Sequence, residues 1–189
     1  MCITPVEACD TLQPRHVGTQ SLGAKEAPYY LVQSSNSYGD GYDGRVKGIK
    51  DYIYTHSLAA RLYKLHIVCR KFFPKESLYN LFGLKMELGG ELFKGFMIVA
   101  IDPLTGKRIG NWIKFKGTDI LPCSAITHTN SRPKRMASLI WVPDPGARGY
   151  VAFEATIVRS FSEYYSGLGS VLPHQQSIRE KSAQSLSKS

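Results

Sequence analysis

The amino-acid sequence predicts an all-β fold, a sandwich or barrel of antiparallel strands, and three stretches carry that prediction. Leu92–Asp102 (LFKGFMIVAID) is rich in β-branched and aromatic residues and apolar on both alternating sets: Phe96, Ile98 and Ala100 against Met97, Val99 and Ile101. It reads as a central strand covered on both faces, bounded by Gly90 and Pro103. Tyr150–Val158 alternates cleanly, with Val151, Phe153, Ala155 and Ile157 inward and Glu154 and Thr156 outward. Arg135–Val142 sets Ala137, Leu139 and Trp141 against Met136, Ser138 and Ile140 before stopping at Pro143-Asp144-Pro145-Gly146.

Taken in order, residues 1–27 are irregular, punctuated by Pro5, Pro14, Gly18 and Gly23. Pro28–Ser34 is a strand candidate closed by the turn-rich run Asn36–Gly44. Within that run, Gly39 to Gly44 matches G-x-G-x-x-G, but Asp40 and Asp43 would repel a pyrophosphate and no periodic helix follows; it reads as a turn. Residues 49–87 differ in kind. Leu58, Leu62, Leu65, Cys69 and Phe72 fall at helical spacing, Arg61, Lys64, Lys71 and Lys75 fall on another face, and Pro74 ends the pattern. A helical insertion with a solvated basic face is expected there, rather than a membrane-surface helix.

Beyond the central strand, Pro103–Arg108 has the composition of a hairpin turn. Ile109–Lys116 follows with Ile109, Ile113 and Phe115 on one face, then a short strand over Ser124–Thr129 and a basic loop, Asn130–Arg135 (NSRPKR). From Ser170 the chain is polar and serine-rich, so a disordered tail is expected over 170–189 behind a single domain of 1–169.

Composition narrows the function classes. The formal charge of +9 and pI near 9.4 favour anionic partners, and between Lys47 and Lys75 seven bases stand against the single acid Asp51. No apolar run is long enough to span a membrane. No secretory h-region follows Met1, and there is no N-x-S/T sequon. Four cysteines without C-x-x-C spacing argue against structural zinc, and His66-x-x-Cys69 lacks a second half. G-x-S-x-G, P-loop and H-E-x-x-H motifs are absent. A Cys123–His128 nucleophile pair is conceivable, but a cysteine staple beside a turn histidine is the commoner arrangement in a small β domain. The expectation is a non-enzymatic binding module with no catalytic residues, no metal site and no cofactor.

Several pieces in sequence resemble the Reeler domain, the N-terminal module of reelin, F-spondin and ferric-chelate reductase-like proteins. They are Ala8-Cys9-x-x-Leu12-x-Pro14-x-His16, Pro28-Tyr29 with Ser34 to Tyr38, and Phe93-Lys94-Gly95-Phe96-Met97. Cys123 with Ala125 to His128, Trp141-x-Pro143 and Val151-Ala152-Phe153-x-Ala155 to Val158 complete the order. The resemblance implies an immunoglobulin-like antiparallel β-sandwich, extracellular, with a Cys9–Cys123 disulfide. Cys2 and Cys69 have no family counterpart. Residues 49–87 stand where the family has a short connection, and read either as a partly helical insertion or as translated intron sequence. The family is secreted, although no signal peptide precedes Met1 here.

The family also stands alone in secreted insect defence proteins. The expected function is therefore a secreted recognition module of innate-defence type, binding microbial surface polysaccharide or lipopolysaccharide and no specific nucleic acid. Its attraction would be salt-sensitive, with tyrosines such as Tyr29, Tyr42 and Tyr150 stacking on sugars. The alternatives are the N-terminal module of a ferric-chelate reductase-like membrane protein and a matrix or adhesion module.

Overall fold

Side chains alternate along a strand, so Phe96, Ile98 and Ala100 leave one face together, and all three are buried in the core. They belong to β4 (Gly95–Ile101), the middle strand of a five-stranded sheet in the computed structural model, which describes Cys9 and residues 11–14, 19–39 and 83–175. β4 lies between β10 (Ala152–Val158) and β7 (Ala125–His128); β11 (Tyr164–Gly169) and β6 (Thr118–Leu121) flank them. The second sheet runs β1 (Tyr29–Gln33), β3 (Leu84–Phe93), β8 (Lys134–Val142), β5 (Asn111–Trp112). A two-stranded ribbon pairs β2 (Ser37–Tyr38) with β9 (Gly149–Tyr150). Every ladder is antiparallel. Two such sheets bury one shared core between their inner faces, which is the β-sandwich the sequence predicts.

That core joins Leu84, Met86 and Leu88 of β3 and Leu139 and Trp141 of β8 to the inward residues of β4 and to Phe153, Ala155 and Ile157 of β10. Trp141 is fully buried; its indole N–H donates to the Ile109 carbonyl at 3.0 Å, and Phe153 and Tyr38 meet its ring edge-on. Gly110 has φ 63°, and a Cβ there would lie 2.3 Å from the Trp141 ring, so backbone and indole both demand glycine.

Several expectations need correction. The strand expected over Leu92–Asp102 divides at Lys94: Leu92 and Phe93 end β3 in one sheet, and Gly95 begins β4 in the other. The run is therefore a corner where the chain changes sheets. Leu84–Glu87, placed in the helical insertion, are strand residues of β3; their alternation Leu84, Met86, Leu88 continues the core. The remainder of 49–83, apart from Gly83, lies outside the described residues, as do Cys2, His66 and Cys69. In Ile109–Lys116 only Asn111–Trp112 is strand. The inward residue is Trp112, whose large ring fills the core, while Phe115 is exposed. Thr156, expected outward on β10, is buried.

The tail expected from Ser170 is not wholly free of the domain. The Val171 N–H donates to Leu31 and its carbonyl accepts from Gln33, both at 2.9 Å, extending the β1 edge by a parallel bridge. Behind that bridge sits a buried amide. Gln33 Nε2 donates to the carbonyls of Ser35 (2.7 Å) and Val151 (3.2 Å), and Gln33 Oε1 accepts from the Ser170 hydroxyl. All of these are polar groups that burial would otherwise penalise. Residues 176–189 lie outside the described residues.

Candidate functional site

The sheet-changing corner builds one end of the sandwich. Phe93 and Phe96 both turn inward, ring centroids 6.2 Å apart, and so anchor the corner from either side. Gly95 between them leaves room for His128: a Cβ would stand 2.6 Å from the imidazole Cε1. The Phe96 N–H donates to His128 Nδ1 at 3.1 Å, which holds the ring in place, and burial lowers the His128 pKa below its ordinary value.

Over the corner lies the NSRPKR loop, shaped by one ammonium. Lys134 Nζ donates to the carbonyls of Asn130 (2.6 Å), Arg132 (2.8 Å) and, across the corner, Lys94 (2.9 Å); its burial lowers its pKa. With its three donors spent on carbonyls, this lysine is a clamp and its charge is turned inward. Its neighbours Lys94, Arg132 and Arg135 are exposed, and among the described residues no carboxylate pairs with them.

Between the loop and the β10–β11 turn opens a groove of about 460 Å³, lined by Leu92, Phe93, Lys94, Pro133, Arg159, Ser160 and Glu163. A shallower one beside it is lined by Glu91, Leu92, Arg135 and Arg159. Arg159 is held by Glu91 and Glu163, each at 3.1 Å, so its charge is compensated locally. The hydroxyl of Tyr165 donates to Glu163 at 2.7 Å, and together with Arg159 it keeps that carboxyl below the usual range. Leu92 and Phe161 protrude from this end, 47% and 70% exposed.

At the opposite end of β7, Cys123 is bridged to Cys9, Cα atoms 5.7 Å apart, and the Arg108 guanidinium donates to the Cys9 carbonyl. A bridged sulfur cannot act as a nucleophile, so Cys123 and His128 form no catalytic pair. Among the described residues no group of three His, Cys, Asp or Glu side chains is placed to hold a metal. Of the tyrosines considered for stacking, Tyr29 is buried against Phe93 and Tyr165 and donates its hydroxyl to the Leu92 carbonyl at 3.2 Å. Tyr150 is exposed, and Tyr42 lies outside the described residues.

Comparison with known proteins adds a decisive match: the family model for the Reeler domain aligns with residues 54–181, more than half of the sequence. The chain belongs to the Reeler domain family. Bovine (Bos taurus) ferric-chelate reductase 1 is 30% identical over 91 residues, 43% of this chain and 15% of that protein. This Reeler chain thus spans about 15% of the length of that curated relative. The crystal structure of the human F-spondin reeler domain superposes with a TM-score of 0.49 at 15% identity, covering 87% of this chain and 98% of that one. For the Reelin-N domain of F-spondin the figures are 0.41 and 21%, over 48% and 72%. Reeler domains occur in extracellular proteins.

The Reeler match includes residues of 49–87 as well as the corner. Among the described residues of this Reeler domain no helix is long and apolar enough to cross a membrane. The clustering of Lys94 with Arg132 and Arg135 was not read from the sequence, because four strands, β4 to β7, separate them in the chain, and the pairing of Phe93 with Lys134 and the Lys134 clamp bring them together. The NSRPKR run was the one signal that pointed there.

Proposed function

We propose that this Reeler domain is a secreted, non-enzymatic recognition module of innate-defence type that binds anionic microbial surface components such as lipopolysaccharide. One observation carries the reading: at one end of the sandwich Lys94 lines one groove, Arg135 lines the groove beside it and Arg132 precedes the lining residue Pro133, all three exposed and with no carboxylate partner among the described residues. Uncompensated cations on a rigid frame attract anions over roughly a Debye length, about 10 Å at 0.1 M salt. The experiment is a lipopolysaccharide pull-down across a salt series. Wild type should bind at low salt and release as salt rises, and the triple variant K94Q/R132Q/R135Q should bind much more weakly. Equal retention of both proteins would overturn the reading.

A second reading is favoured by the 30% identity with bovine ferric-chelate reductase 1. There this domain would be the extracellular module of a reductase-like membrane protein, with redox chemistry housed in other segments. Sequencing the complete transcript distinguishes the two: transmembrane helices in the same reading frame select the second.

A further inference from the structure

We infer that the same end of the sandwich docks on an anionic lipid surface, with Leu92 and Phe161 entering the headgroup region while Lys94, Arg132 and Arg135 face lipid phosphates. The inference rests on the proposed anionic-ligand reading and narrows it from any anion to a bilayer or micelle surface. Two observations beyond charge support the narrowing.

First, the protruding side chains are apolar. Leu92 is the penultimate residue of β3 before the corner, and Phe161 lies in the β10–β11 turn. Leu92 lines the groove, and Phe161 follows the lining residue Ser160. Exposed apolar tips ringed by cations are the pattern of proteins that lie on anionic membranes; buried apolar area and electrostatic attraction act together there. A soluble polysaccharide would be better served by a row of flat aromatic or polar side chains than by an aliphatic tip.

Second, the acids at this end are already engaged. Glu91 and Glu163 share Arg159, and Glu163 also accepts from Tyr165, so one net negative charge is left there against the three exposed cations. The exposed cations stand on a framed backbone: Lys94 and Arg132 have their carbonyls held by Lys134, and Arg135 belongs to β8. A fixed frame loses little conformational freedom on docking.

The test is co-sedimentation of the full chain with phosphatidylglycerol and phosphatidylcholine vesicles, and in parallel retention on immobilised dextran sulfate, a lipid-free polyanion. Wild type should bind phosphatidylglycerol at low salt and not phosphatidylcholine. The variant L92S/F161S, which alters two exposed positions, should lose at least tenfold in vesicle affinity, the loss expected from withdrawing two apolar side chains. It should keep its retention on dextran sulfate. The variant K94Q/R135Q should lose both. Circular dichroism and thermal midpoints check that each variant is folded. Undiminished vesicle binding by L92S/F161S overturns the lipid inference and leaves the anionic reading standing. Loss of dextran sulfate retention by L92S/F161S also overturns it, since the tips would then serve any polyanion. Vesicle binding without lipopolysaccharide binding would support the lipid surface and sink the microbial reading.

Discussion

Substituting Gly95 by alanine tests whether the corner is built around the imidazole of His128. The backbone of Gly95 is outside the left-handed region, so alanine introduces no torsional strain there. The added methyl would stand 2.6 Å from Cε1 and 2.8 Å from Nε2 of His128, against an ordinary contact of 3.4 Å or more. The ring can retreat only by releasing the 3.1 Å hydrogen bond from the Phe96 N–H, worth about 1 kcal/mol, and by leaving its rotamer, about another 1 kcal/mol. A loss of about 2 kcal/mol follows for Gly95→Ala, within the usual range for overpacking. His128→Ala alone loses the hydrogen bond and part of the ring's packing, about 1–2 kcal/mol. In the double variant the methyl has nothing to strike, so its stability should fall no further than that of His128→Ala. The assay is urea unfolding of the four proteins with the disulfide intact, comparing midpoints at unchanged slope. Losses that simply add, to within about 0.5 kcal/mol, would refute the steric account.

Four further outcomes are expected. Replacing Cys9 and Cys123 by serine opens a loop closed across 114 residues and should cost roughly 4–5 kcal/mol in the chain-entropy account, seen as a lower urea midpoint than the oxidised wild type. Gln33→Met keeps volume but strips the amide from the Val151 carbonyl and the Ser170 hydroxyl; a loss of about 2–4 kcal/mol should appear in thermal or urea unfolding. Because burial lowers the folded-state pKa of His128, the neutral ring contributes stability above its ordinary value of 6.5, and that contribution is lost as pH falls through the folded value; His128→Gln should flatten the acid limb of stability against pH. Burial pushes the Tyr29 hydroxyl from 10.0 up to about 12, so its contribution is complete below pH 10 and fades as pH rises toward 12; Tyr29→Phe should remove a phenolate transition near pH 12 from an ultraviolet titration.

The strands that sequence made legible are those whose alternation is uninterrupted. On β10 with the preceding Val151, and on β8, the apolar residues Phe153, Ala155 and Ile157, or Leu139 and Trp141, are buried at every second position as their spacing requires, with Thr156 the one buried polar residue on β10. β3 was obscured because Gly89 and Gly90 interrupt it; a Cβ at Gly89 would strike the Tyr30 ring, and Gly90 takes φ 132° against the Pro28 carbonyl. Periodicity cannot register positions where a neighbour's ring or backbone replaces the missing side chain. β11 was missed for a related reason: its polar-looking YYSGLG buries Tyr164, Tyr165 and Leu168, and aromatic residues with hydroxyls read as surface. For the site, the basic loop was visible but its role was not, since nothing in NSRPKR distinguishes the lysine that turns inward from the arginines that turn out.

Two loose segments of the chain also act as sealants. Val171 runs parallel to β1, while Ser21 bridges Tyr164 and Leu22 donates to its carbonyl, so the outer margins of β1 and β11 already have partners. Strand margins left bare invite recruitment of another chain's backbone. With those two occupied, growth of either sheet by strand addition is directed to the far margins, where β5 and β6 offer only two and four residues. That brevity gives the domain a built-in resistance to fibre-like stacking.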